Sequence, residues 1–283
     1  MSQAVALVLF LTNKQGSLMS SIKSKCINLI PLNLYLHLKR FKVFLLQRNN
    51  YISLQNRRKE ITKDGFTFKS FDETKSIFVH IPKCAGSSIS NHLYGNRAGG
   101  HMTINDYALV FPPKDINSYF KFTVVRNPWD RVVSAYHFLS NGGMNDTDKR
   151  WAEDNIGEYK DFQSFVKGWL NIDNIFKYHH FRPQYLYFMG DNEKLKIDYF
   201  AFLENIDDDF EVICKKIGFK SILEQKNQSI HKDYKDYFDE ETKLIVATVY
   251  EKDIGLLGYS FDNSSIPKQI KERNKLVISN LGE

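Results

Sequence analysis

The chain has 283 residues, 42% of them apolar and 25% charged, which is an ordinary globular composition and enough length to bury one sizeable core with a tail to spare. Its formal charge of +6 is unevenly held: residues 1–63 carry eleven Lys or Arg against one acid, Glu60, a net +10, and the rest of the chain is −4. That split excludes a generally basic nucleic-acid binder for the main body and sets apart a basic amino-terminal arm, residues 1–63, from a domain at 64–283.

In the arm, Ala4 to Thr12 is apolar but too short to cross a bilayer, and the stretch from Cys26 to Leu46 is interrupted by Lys39, Arg40 and Lys42. No positive residue precedes Ala4 and no small-residue cleavage pattern follows it, unlike a secretory signal. Leu32 to Leu46 mixes apolar and basic residues, as a helix packed on the domain does, and as an interfacial helix on anionic lipid does. The spacing then predicts a strand over 77–81, a helix over 88–95, a strand over 121–125, a helix over 128–140 and helices within 160–188. A strand over 198–203, a helix over 206–217 and a helix over 239–251 follow. Residues 141–148 read as a loop, and Asp207, Asp208 and Asp209 after Asn205 read as an acidic first helical turn. Strands alternating with helices predict an α/β fold, a parallel sheet flanked by helices with ligands at the carboxyl ends of its strands.

Two segments carry chemistry. In Ser76-Ile-Phe-Val-His-Ile-Pro-Lys-Cys-Ala-Gly-Ser-Ser88, Pro82 stops an apolar strand, Lys83 stands at its end and Gly86 permits a tight turn. Ser87 and Ser88 then open a helix whose amino-terminal N–H groups favour an anion. In Phe122-Thr-Val-Val-Arg-Asn-Pro-Trp-Asp-Arg-Val-Val-Ser134, Asn127 and Pro128 are a helix start, so Arg126 sits at a strand-to-helix junction with Ser134 about two turns on. Lysine suits an anion as a point charge and arginine as a planar fork. A histidine is the natural base at neutral pH, and His101, His179 and His180 are the candidates, while His80 lies in the first strand as a core residue. Three scattered cysteines, Cys26, Cys84 and Cys214, do not make a disulfide scaffold and suit a reducing compartment, with Cys214 a core thiol.

His80-Ile-Pro-Lys-Cys-Ala-Gly-Ser-Ser88 resembles the 5′-phosphosulfate loop of the carbohydrate sulfotransferases that use 3′-phosphoadenosine 5′-phosphosulfate (PAPS), and Val125-Arg-Asn-Pro-Trp-Asp-Arg-Val-Val-Ser134 resembles their 3′-phosphate motif. The likeness continues through His179-His-Phe-Arg-Pro-Gln184, Asp198 to Asn205 and Asp253 to Tyr259, so it covers roughly residues 75–262, with bacterial counterparts of the Golgi sugar sulfotransferases as the nearest kind. Cys84 departs from the threonine common there.

The resemblance implies a three-layer, P-loop-like sulfotransferase fold and transfer of a sulfuryl group from PAPS, without a metal, to a hydroxyl of a carbohydrate or glycan. It implies that Lys83, Ala85, Gly86, Ser87 and Ser88 hold the 5′-phosphate, with Lys83 stabilising the leaving oxygen, and that Arg126 and Ser134 hold the 3′-phosphate. His101 becomes the expected base, and His180, Arg182 and Gln184 the expected acceptor contacts. The expected setting is cytoplasmic, at the membrane face through the arm, or the Golgi lumen in a eukaryote. Two rival classes use similar parts. A nucleotide kinase is disfavoured because the lysine precedes the glycine here and no Mg²⁺ acid follows an apolar strand. A noncatalytic glycan-binding protein is disfavoured by the retained lysine, arginine and candidate base.

Overall fold

A computed structural model describes residues 30–62, 64–190, 197–219 and 232–278, with side chains to residue 273. Its centre is a three-stranded parallel sheet in the order β1 (Ser76–Val79), β2 (Phe120–Val125), β3 (Tyr199–Phe202). Phe78 pairs with Phe122, and Phe122 with Tyr199. Burial on both faces explains why these strands do not alternate buried with exposed residues, and even Ser76, Lys121 and Thr123 within them are buried. The fold is therefore the expected α/β arrangement, and both chemistry-bearing loops leave the same end of adjacent strands.

The helix after β1 runs Gly86–Tyr94, two residues earlier than the serine pair suggested, because Ala85 in the left-handed region serves as its N-cap. Ser87 and Ser88 thus lie in the first turn and do not cap it. The helix after β2 is Pro128–Ser140, with the Asn127 side chain accepting from Trp129 N as expected of the Asn-Pro start. The segment 141–148 is a loop only as far as Asn145, whose side chain accepts from Thr147 N and Asp148 N to start a helix, Asp146–Asn155. The 239–251 helix divides at Tyr250 into Glu240–Val249 and Glu251–Leu257.

The acidic turn is also more than a complement to the helix dipole. Asp209, on the helix Ile206–Ile217, is buried and accepts from Phe202 N at 2.7 Å, Asn205 Nδ2 at 2.9 Å and Arg273 Nη1 at 2.5 Å, which ties β3 to the helix Ile266–Ile278. Cys84 and Cys214 are buried free thiols, and Cys26 lies outside the described residues.

The described part of the arm forms two helices, Leu32–Leu46 and Arg48–Lys59, that dock on the domain. Tyr35 and Leu36 are buried, Arg40 Nη1 donates to Leu109 O at 2.7 Å, and Arg58 bridges Asp72 and Asp115 at 2.5 and 2.9 Å. The opposite side leaves Leu34, Phe41, Phe44, Leu45 and Leu46 exposed. Among the described residues, no helix is long and apolar enough to cross a membrane.

Candidate active site

The turn after β1 is shaped by backbone conformations that side-chain-bearing residues seldom adopt. Lys83 and Ala85 both have positive φ, 70° and 56°. Such strain persists only where surrounding structure enforces it, and here His80 does so in part. A Cβ on Gly86 would lie 1.8 Å from the His80 ring, so only glycine lets the loop close over that buried imidazole. β1 ends at Val79, two residues short of the expected strand end, so His80 lies just past it, buried and stacked on Phe78 with ring centroids 5.5 Å apart. Gly86 and Ser87, as the first residues of the helix, have N–H groups with no intrahelical acceptor, which face whatever sits over the turn. Ser87 is exposed, and Ser88 and Ala85 are half-buried.

Lys83 is half-buried, and its Nζ lies 3.9 Å from the centroid of Phe138, on the Pro128–Ser140 helix. Burial first, and then the nearby Arg126 charge, lower the Lys83 pKa to about 8. Arg126 leaves β2 beside it. Its Nε and Nη2 form a forked pair with Asp130, both at 2.7 Å, and its Nη1 donates to Lys83 O at 2.9 Å. The arginine expected to hold one phosphate thereby also holds the loop expected to hold the other. Of its five N–H groups two remain for a ligand. Ser134 is half-buried two turns along the same helix.

The third motif, 179–184, supports these loops from below. Gln184 is fully buried, donates from Nε2 to Arg126 O at 2.8 Å and accepts at Oε1 from Arg126 N at 3.0 Å. Cys84 Sγ also approaches that oxygen, at 3.6 Å, and burial pushes the thiol up to about 12, so it faces the core and not a ligand. Gln184 is accordingly a positioning residue, and the expected acceptor contact is corrected on that ground. Its own N–H and that of Tyr185 donate to the buried carboxylate of Asp253, at 2.7 and 2.8 Å. Arg182 lies over the ring of Tyr187, 5.8 Å from its centroid. Arg131, missed in the sequence, is the largest fully buried side chain among the described residues and donates to Pro82 O, His180 O and Arg182 O at 2.9–3.0 Å, binding the first loop to the third. The later motifs converge likewise on Asn127: Glu204 accepts from Asn127 N at 2.6 Å and from Tyr259 OH at 3.0 Å.

Four histidines from three segments gather beside Lys83. The His101 ring lies 4.5 Å from His80, 4.9 Å from His179 and 5.8 Å from His180, between centroids. His180 is buried against Phe138, 4.8 Å away, and His179 is half-buried. Burial, then the neighbouring rings His80 and His179, hold the His101 imidazole below its ordinary range, which keeps it neutral at pH 7 and weakens it as a base until the residue's exposed side is hydrogen-bonded to a ligand. Burial, then the rings His179 and His101, lower the His180 pKa as well and keep it neutral.

A strand-end lysine on a strained turn, a helix amino terminus and a strand-end arginine thus stand side by side in an α/β fold. The model of the sulfotransferase family matches residues 66–260, and the chain belongs to that family. The comparisons with curated proteins and with solved structures give no match.

Proposed function

We propose that the protein moves the sulfuryl group of PAPS to a hydroxyl of a carbohydrate or glycan acceptor. The observation that carries this reading is the bond from Arg126 Nη1 to Lys83 O, which makes the two anion motifs one site. The 5′-phosphate rests on the turn Lys83 to Ser88, where the positive-φ backbone and Gly86 turn N–H groups outward. The 3′-phosphate lies at the remaining N–H groups of Arg126 and at Ser134.

In the transfer, the acceptor oxygen attacks sulfur in line as the bridging S–O bond to the 5′-phosphate breaks, leaving adenosine 3′,5′-bisphosphate. Lys83 neutralises the charge growing on the leaving phosphate oxygen, and neutral His101 takes the acceptor's proton. Arg182 lines the acceptor side, with Gln184 holding the backbone of Arg126. The exposed apolar residues of the Leu32–Leu46 helix, with Lys39, Lys42 and Arg48, suit contact with an anionic membrane face, and a cytoplasmic location accords with the scattered free thiols.

Incubation with sulfate-labelled PAPS and a panel of mono- and oligosaccharides tests the reading: labelled sugar and adenosine 3′,5′-bisphosphate should appear together. Mg²⁺-dependent ATP turnover in place of sulfate transfer would instead establish a kinase.

A further inference from the structure

The glycine-rich loop at 141–145 and the His179-His180 pair take part in none of the donor contacts, yet they meet at one buried carboxylate. Asp148 is 4% exposed and is held from two sides: Met144 N donates to Oδ2 at 2.9 Å, and the Tyr178 hydroxyl donates to Oδ1. The loop must be glycine to close on it, because Gly143 has φ +65° and a Cβ there would come 2.1 Å from the Asp148 Cβ. His180 Nε2 stands 3.9 Å from Asp148 Oδ1, too far for a hydrogen bond, and His180 Nδ1 is buried with no hydrogen bond to any described residue. Both Asp148 oxygens accept hydrogen bonds, whereas the unpartnered His180 Nδ1 is costly to bury without a ligand or donor of its own.

One ligand atom from each of Asp148, His179 and His180 lies within 4.8 Å of the others. Two imidazoles and a carboxylate are a donor set for a borderline-soft cation, whereas Mg²⁺ and Ca²⁺ seek oxygen. Zn²⁺ bonds of about 2.0–2.2 Å in tetrahedral array place ligand atoms about 3.3 Å apart. Binding would draw the ligand atoms closer than they stand here, His180 and Asp148 from 3.9 Å as well as the half-buried His179. We propose that Asp148, His179 and His180 form a binding site for one divalent transition cation of the Zn²⁺ class, with Tyr178 and the Met144 amide orienting the carboxylate as outer partners do in metal sites. The site adjoins the donor turn, where the Asp148 carboxylate acts on the Lys83 charge, but the inference does not depend on the sulfate-transfer reading.

The test is calorimetric titration of the full chain, stripped of metal, with Zn²⁺ in a non-chelating buffer, together with visible spectroscopy after Co²⁺ addition. One equivalent should bind, Co²⁺ should give the intense bands of a four-coordinate site, and His179→Ala and Asp148→Asn should each weaken binding at least tenfold. Tyr178→Phe should weaken it by roughly tenfold, the scale of a lost outer partner. Circular dichroism checks that each variant is folded; if Asp148→Asn is not, the half-buried His179 position decides. Absence of stoichiometric binding, unchanged affinity in His179→Ala, or a thiolate charge-transfer band placing the metal on cysteine would overturn the proposal.

Discussion

Arg126 reaches across from the end of β2 to donate from Nη1 to the carbonyl of Lys83, 2.9 Å away, while its other edge is clamped by Asp130. One guanidinium therefore fixes the backbone of the lysine loop and faces the candidate 3′-phosphate position. Arg126→Ala should weaken binding of adenosine 3′,5′-bisphosphate by roughly 1.5–3 kcal/mol, the scale of a charge-assisted hydrogen bond. Arg126→Lys should restore little of it, because an ammonium cannot form the fork to Asp130 and reach Lys83 O together. Calorimetry in the presence of EDTA should give the wild-type affinity unchanged. A folded Arg126→Ala protein that binds normally would remove this residue from the site.

Gly86 and His80 form the second coupled pair. Gly86→Ala places a methyl group 1.8 Å from the imidazole, and overpacking of that kind costs about 1–3 kcal/mol besides displacing the turn. Donor binding should fall in Gly86→Ala and recover in part when His80→Ala is added, since the second change removes the obstacle. Purely additive losses in the double variant would mean that the two residues act separately.

The alkaline behaviour of the enzyme should report Lys83. Burial lowers its pKa to about 8, so the ammonium form that supports the leaving oxygen is present below that pH and is lost as pH rises through it. In the free enzyme, kcat/KM should accordingly fall above pH 8, and Lys83→Arg, whose cation does not titrate there, should move that limb out of range. A limb that stays in place in Lys83→Arg belongs to another group.

Asp209 is expected to matter for stability and not for chemistry. Removing it leaves Arg273 without its buried carboxylate and Phe202 N without an acceptor, so Asp209→Ala should destabilise the fold by about 3–5 kcal/mol in urea unfolding. A loss below 1 kcal/mol would show that water takes over those contacts.

Membrane contact is better tested by surface substitutions than by removing the arm, because Arg58 and Arg40 anchor it to the domain. Phe41→Ser with Leu46→Ser should reduce retention on vesicles containing anionic lipid while leaving donor affinity intact. Equal retention would leave these residues without a lipid role.

The three strands, to within two residues at their ends, and the Asn-Pro helix start were legible in the sequence because each depends on neighbours a few residues apart. What escaped it depends on distant contacts. Gln184 reads as a polar residue beside an acceptor motif, yet tertiary folding buries its amide on the Arg126 backbone, 58 residues away. Arg131 was given no role from the sequence and is the buried tie between the first and third loops. Asp148 read as the end of a polar loop, and only the folded chain brings it to His180. The short helices Ile104–Val110 and Pro113–Ser118 were missed because six or seven residues show too little periodicity to be recognised.

The most direct measurement is single-turnover transfer of labelled sulfate from PAPS to the best acceptor found, made with the wild-type, His101→Ala and Lys83→Ala proteins after confirming donor affinity for each. The account predicts transfer by the wild type and a loss of roughly 10²–10⁴-fold in His101→Ala with donor binding retained, the contribution of a positioned base. It also predicts a loss in Lys83→Ala that shrinks with a better leaving group, while the His101→Ala loss does not. Near-normal turnover by His101→Ala would contradict the assignment of the base, and no transfer by the wild type to any hydroxyl acceptor would contradict the proposed function itself.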